Sequence, residues 1–172
     1  DDRLSPQDAN EIVEACVKMA EVKTGALIVI ERNVSMGDIV SASGVAVDAV
    51  ISSQLLINIF EDKTPLHDGA VIIRDNRVAA ASCILPVTQS EIGQELGTRH
   101  RAAVGASEVS DAFIIVVSEE TGKISIARDG KLENAVSEAV FRQELLNLCE
   151  KTTPAGAKAI NKIWKGMSRH DK

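Results

Sequence analysis

The stretch AVIIRDNRVAAASCILP, residues 70–86, decides how this chain folds. Two apolar runs, 70–73 and 78–85, flank Asp75 and Asn76, residue types that accept the left-handed backbone of a tight turn. The reading is a hairpin: a strand begins near Ala70, returns over 78–85 and is closed by Pro86. A hairpin set among crossover helices implies a mixed sheet, not the regular alternation of a doubly wound parallel one.

Upstream of the hairpin, Ser5, Pro6 and Asp8 read as a helix start, and Ile12, Val13, Cys16, Val17 and Ala20 recur at helical spacing. GALIVIER, 25–32, is a continuous apolar run that suits a strand buried on both faces. Residues 33–44 read as turn-rich, with a short extended piece at Ile39 and Val40. Residues 46–60 mostly suit a helix, with 45–51 also open to an extended reading. The Thr64–Pro65 turn then leaves His67, Asp68 and Gly69 at the lip of the hairpin's first strand.

Downstream, a loop over 88–97 leads into a helix that begins GTRHRAA, 97–103. A strand over 112–117, the turn SEETG at 118–122 and a return strand over 124–127 form a second hairpin. Asp129 and Gly130 turn the chain into a long helix, 132–149, and 151–172 reads as a helical or flexible C-terminal extension. The expected fold class is α/β: a single domain over 1–150 with a mixed central sheet flanked by helices on both faces.

At 172 residues the chain is long enough for one substantial core. Hydrophobic residues make up 45% but aromatics only 2%, which argues against a surface that stacks bases. A net charge of −6 supplies no field that draws in polyanions, so no nucleic-acid partner is expected and any phosphate must be held locally. Cys16, Cys83 and Cys149 are far apart, odd in number and set among apolar neighbours, as buried thiols in a reducing compartment are. No apolar run approaches the roughly 18–20 residues that span a bilayer. A soluble domain is therefore expected, with any membrane attachment carried by a segment absent from this chain.

Three places carry chemistry. If Thr98 caps its helix, the first-turn N–H groups and the dipole make an anion site beside Arg99, His100 and Arg101; the plainer reading is a capped helix with a solvated basic turn. Asp68 beside Gly69 offers a carboxylate for a divalent cation where the backbone has no Cβ, or merely a turn. Ser118, Glu119 and Glu120 end a buried strand, where open α/β sheets place ligands, or form a solvated hairpin turn. Neither of the two commonest nucleotide fingerprints, GxGxxG and GxxxxGK[ST], occurs.

Taken together, DGA at 68–70, GTRHRAA at 97–103 and VVSEETGKIS at 116–125 closely resemble the bacterial diadenylate cyclase family, in that family's order. The similarity covers about 9–148 and is greatest to the membrane-associated CdaA type rather than the DNA-scanning DisA type. The resemblance implies the fold of that family's catalytic domain and condensation of two ATP into cyclic di-AMP with release of two pyrophosphates, using Mg²⁺, Mn²⁺ or Co²⁺. It implies catalytic roles for Asp68, Gly69, Arg99, His100 and Arg101 and substrate contacts at Leu85, Thr98, Ser118 and Glu119. The metal would fall to Asp68, Glu120 and His67. The position before Leu85 can be aromatic in relatives and stack on adenine, whereas here it is Ile84.

The two-fold symmetric product implies a homodimer of facing protomers. It also implies a full-length protein at the cytoplasmic face of the cell membrane. A non-catalytic nucleotide sensor and a metal phosphohydrolase are the competing functions, and retention of Asp68 with the RHR triplet favours the cyclase.

Overall fold

The computed structural model describes residues 4–150; the extension expected over 151–172, with His170, lies outside the described residues. The elements run α1 (Pro6–Glu21), β1 (Ala26–Ile30), α2 (Gly37–Ser43), β2 (Val45–Val50), α3 (Ser53–Phe60), β3 (Ala70–Arg74) and β4 (Arg77–Cys83). They continue with α4 (Thr98–Glu108), β5 (Phe113–Val117), β6 (Ile124–Arg128), β7 (Lys131–Val136) and α5 (Glu138–Leu148). The strands form one seven-stranded sheet in the order β2-β4-β3-β1-β5-β6-β7. Only β1 and β3 pair in parallel, so the sheet is mixed, as the first hairpin requires.

That hairpin turns where the sequence placed it, with Asp75 and Asn76 at φ +51° and +59°. Asn76 also accepts the Ser5 N–H at 2.7 Å, tying the turn to the start of α1, where the Ser5 hydroxyl caps Asp8 at 3.1 Å. The central strands bury both faces by alternation. Ile28 of β1, Val71 and Ile73 of β3, and Phe113 and Ile115 of β5 join the core under α1, α3 and α5. Leu27, Val29, Ile72, Ile114 and Val116 join the opposite core, against α4. On that side Gly105 lets α4 lie directly on the Pro86 carbonyl, and the Thr88 N–H bonds the Arg101 carbonyl at 3.0 Å. The strand that leaves β4 is thereby fastened to the helix that bears the RHR triplet.

Three segments differ from the sequence reading. Residues 37–43 form α2 rather than an extended piece, because Ile39 and Val40 pack on one side toward the α4 core. The extended option wins at 45–50: β2 is an edge strand on β4, and the expected helix is confined to α3, which the Ser52 hydroxyl caps at Leu55. The long helix expected from 132 begins only after 137. Asp129 and Gly130, at φ +52° and +76°, make a hairpin turn that lays 131–136 beside β6 as a seventh strand. The apolar spacing of Leu132, Val136 and Val140 mimics a helix across that boundary.

Candidate active site

One cavity of about 930 Å³ opens at the edge of the sheet where β1, β3 and β6 start and β4, β5 and β7 finish. The parallel pair thus presents its amino ends to the site. The rule that ligands sit at carboxyl ends holds for parallel sheets and has no single direction in a mixed one.

Asp68 and Gly69 stand at the mouth of β3, and Thr98, Arg99 and His100 at the start of α4; all five line this cavity. The Asp68 side chain is exposed and has no hydrogen-bond partner among the described residues. Gly69 has φ +92°, and a Cβ there would lie 2.8 Å from the Cys83 carbonyl. The glycine therefore lets the lip of β3 lie directly against the end of β4, and it also lines the cavity.

Thr98 is not the helix cap. Gly97 takes that position with extended backbone and no side-chain cap, and the first helical bond runs from the Arg101 N–H to the Gly97 carbonyl at 3.2 Å. The N–H groups of Thr98, Arg99 and His100 consequently have no partner among the described residues and, with the positive end of the helix dipole, form an anion-binding terminus.

Arg99 lies against Gly25, where a Cβ would come within 2.6 Å of its guanidinium carbon, and pairs with Glu119 at 3.4 Å. Arg101 does not join it. Residues two apart on a helix point about 200° away from each other. Arg101 instead donates to the Gly93 carbonyl at 3.2 Å, which ties α4 to the 88–97 loop, and does not line the cavity.

His100 is only 6% exposed. Burial, then the Arg99 charge, hold its imidazole below the ordinary 6.5, against a weaker opposite pull from Glu120, so the ring is neutral at pH 7. Since the unfolded chain takes up this proton first, stability is undiminished above pH 6.5 and declines as pH falls below it, until the folded ring also protonates. Urea unfolding at about pH 7.5 and about pH 5.5 checks this; His100→Asn is expected to flatten the slope between them.

The Ser118 hydroxyl accepts the Glu120 and Thr121 N–H groups, both at 3.2 Å, which rigidifies the turn and leaves its own proton to donate. Leu85 is buried in the cavity wall, while neighbouring Ile84 is 74% exposed. Ser43, from the unforeseen α2, fixes that strand end by accepting the Ile84 N–H at 2.9 Å.

His67, Asp68 and Glu120 line the cavity but do not converge as a ligand set; among the described residues no three His, Cys, Asp or Glu side chains could together hold a metal. The His67 Nδ1–H donates to the Thr64 carbonyl at 2.7 Å, and its Nε2 stands 3.8 Å from Asp62. The oxygen donors among them are the hard carboxylates of Asp68 and Glu120. That fits a divalent cation carried in on phosphate oxygens rather than one caged by protein.

Fold and site define an α/β domain with a mixed sheet whose edge opens a cavity between a strand-lip carboxylate and a helix terminus. A family model described as "DisA bacterial checkpoint controller nucleotide-binding" (DAC) matches residues 13–132. The chain belongs to this family.

Among its relatives, "Cyclic di-AMP synthase CdaA" of Bacillus subtilis is 50% identical over 143 residues, which is 83% of this chain and 52% of that protein. A "Diadenylate cyclase" of Listeria monocytogenes is 46% identical over 165 residues, 93% of this chain and 60% of that one. The chain therefore spans between half and three fifths of these relatives. The crystal structure of a double mutant of DacA from Staphylococcus aureus matches with TM-score 0.82 and 45% identity, over 84% of this chain and 97% of that one. A "hypothetical membrane spanning protein" from Bacillus cereus matches with TM-score 0.70 and 44% identity, over 76% and 64% respectively.

Proposed function

We propose that this chain is the catalytic domain of a diadenylate cyclase, condensing two ATP into cyclic di-AMP and two pyrophosphates. The observation that carries the reading is the opening of the Asp68 carboxylate and the bare α4 terminus into one cavity. Each 3′-oxygen bonds to the α-phosphorus of the other nucleotide. The bond from that phosphorus to the bridging oxygen breaks, and pyrophosphate leaves with the oxygen. The proton of the 3′-hydroxyl passes to Asp68.

In-line placement and charge stabilisation, rather than a covalent nucleophile, account for the rate. The α4 amides, Thr98 and Arg99 grip phosphate, Ser118 donates to it, and Leu85 with Ile84 makes apolar contact with the base. Asp68 and Glu120 are the residues that would hold Mg²⁺, Mn²⁺ or Co²⁺. When bound, such a cation neutralises charge on the triphosphate.

Incubation with ATP and Mn²⁺, followed by mass analysis, is expected to yield cyclic di-AMP. Mononucleotide and phosphate, or unchanged ATP, would refute the reading in favour of a hydrolase or a sensor. Two such cavities must face each other for the reciprocal attack, so a homodimer is the working unit. Activity per subunit is expected to fall on dilution, and a fully active monomer in sedimentation would contradict this.

Among the described residues no helix is long and apolar enough to cross a membrane. The greater length of the relatives, and the description of one solved neighbour as membrane spanning, support attachment of the whole protein at the inner face of the cell membrane.

A further inference from the structure

The turn that carries Ser118, Glu119 and Glu120 is bonded to itself. The Ser118 N–H donates to the Lys123 carbonyl at 3.0 Å, the Gly122 N–H to the Ser118 carbonyl at 2.9 Å and the Lys123 N–H to the Thr121 hydroxyl at 3.1 Å. It therefore moves as one block, and what stands against it decides where its side chains lie.

Against it stands the carboxyl end of α1. There Lys23 takes φ +57°, its N–H donates to the Ala20 carbonyl at 3.2 Å, and the Thr24 N–H donates to the Met19 carbonyl at 2.8 Å. This pair of bonds is a Schellman closure, which fixes the Ala20 carbonyl. Gly122 lies so close to that carbonyl that a Cβ would come within 2.4 Å of its oxygen. Just past the closure, Gly25 carries the Arg99 guanidinium, and Arg99 pairs with Glu119 of the same turn at 3.4 Å. Helix end, turn and arginine close into a ring of contacts.

Of the two bodies that meet at Gly122, the helix is the fixed one. It buries Ile12, Val13, Cys16 and Met19 in the core and is tied at its start to Asn76, whereas Glu119, Glu120 and Thr121 are exposed. A side chain at 122 would have to push the turn away by about 1 Å to regain van der Waals contact.

We infer that the carboxyl end of α1 is the footing that sets the position of Ser118, Glu119 and Glu120 in the cavity, with Gly122 a positioning residue that acts through them. The inference rests on the cyclase reading. Three variants are compared with wild type in turnover of ATP and, by calorimetry, in affinity for an ATP analogue with methylene between the α- and β-phosphorus, which cannot release pyrophosphate. Gly122→Ala adds a methyl at the contact. Gly122→Asn adds the same Cβ on a residue type that accepts φ +72° more readily, so it reports even where Gly122→Ala fails to fold. Gly130→Ala is the control: at φ +76° it bears the same backbone strain outside the cavity, and its Cβ meets only the Glu108 Cγ at 3.4 Å.

Both Gly122 variants are expected to lose about 10²-fold in kcat, as a misplacement of about 1 Å does, and to bind the analogue about threefold or more weakly. Gly130→Ala should melt lower yet keep wild-type kcat and affinity. A folded Gly122→Asn with wild-type kcat and affinity overturns the inference. So does a Gly130→Ala that loses as much, since strain alone then accounts for the effect. Failure of both Gly122 variants to fold, beside a folded Gly130→Ala, makes the contact a requirement of the fold and overturns it too. If the wild-type chain makes no cyclic product, the cyclase reading falls and the analogue decides: weakening confined to the Gly122 variants sustains the footing, and equal affinity in all four chains refutes it.

Discussion

With Asp68 replaced by Asn, the chain is expected to fold, to bind ATP and to make almost no cyclic dinucleotide. The carboxylate is exposed and bonds to nothing among the described residues, so its loss removes no structural contact. Asn has the same shape and leaves Gly69 and its contact with β4 in place. Removing a negative charge beside a polyanion does not weaken nucleotide binding by itself. What disappears is the group that takes the 3′-hydroxyl proton and offers oxygen to a cation, a loss of about 10²–10⁴-fold in rate. Chromatography of the products, beside a thermal melt and an ATP titration, separates these effects. A variant retaining more than about a tenth of the rate would remove Asp68 from the chemistry.

The second large effect is expected at Arg99. Its ion pair with Glu119 is solvent-facing, Glu119 being 66% exposed, so it contributes only about 0–1 kcal/mol to the fold. Arg99→Ala should melt close to wild type yet lose about 10²–10³-fold in turnover, as removal of one fixed donor from a developing negative charge does. Gly25→Ala gives a graded version. Its new methyl meets the movable end of Arg99 rather than backbone, so the fold persists while the guanidinium is displaced. It should raise KM for ATP more than it lowers kcat. A silent Gly25→Ala beside an inactive Arg99→Ala would show that Gly25 does not set the position of the guanidinium.

The strands that bury both faces were legible because nothing else accommodates runs such as ALIVI and FIIVV between turn residues. Asp75–Asn76 announced its hairpin by residue type alone. The segments at 37–43 and 131–136 were not legible, and 45–50 only as one of two readings, because each is short and lies at or beside an edge of the sheet. There, pairing with one neighbour outweighs a weak local pattern.

The site divides along the same line. The places of Asp68, Thr98 and Arg99 could be read from the sequence, since the lip of a strand and the start of a helix are set by local structure. Arg101 stands on another side of the helix from Arg99, which counting charge along the sequence does not show. Gly25 and Ser43 gave no signal at all. Each matters through what the sheet register sets beside it, which one chain position does not reveal.

The cavity takes its first wall residue from β1 and its last from β7, so Leu27 and Ala135 must both be in place before it exists. No contiguous fragment can reproduce it, and a nucleotide that recognises it has nothing to grip in the unfolded ensemble. Ligand therefore acts as a latch across nearly the whole described chain: saturation a hundredfold above Kd adds about 2.7 kcal/mol to unfolding. Protection from hydrogen exchange should then rise in outermost β7 together with central β1, rather than only in the loops that touch phosphate.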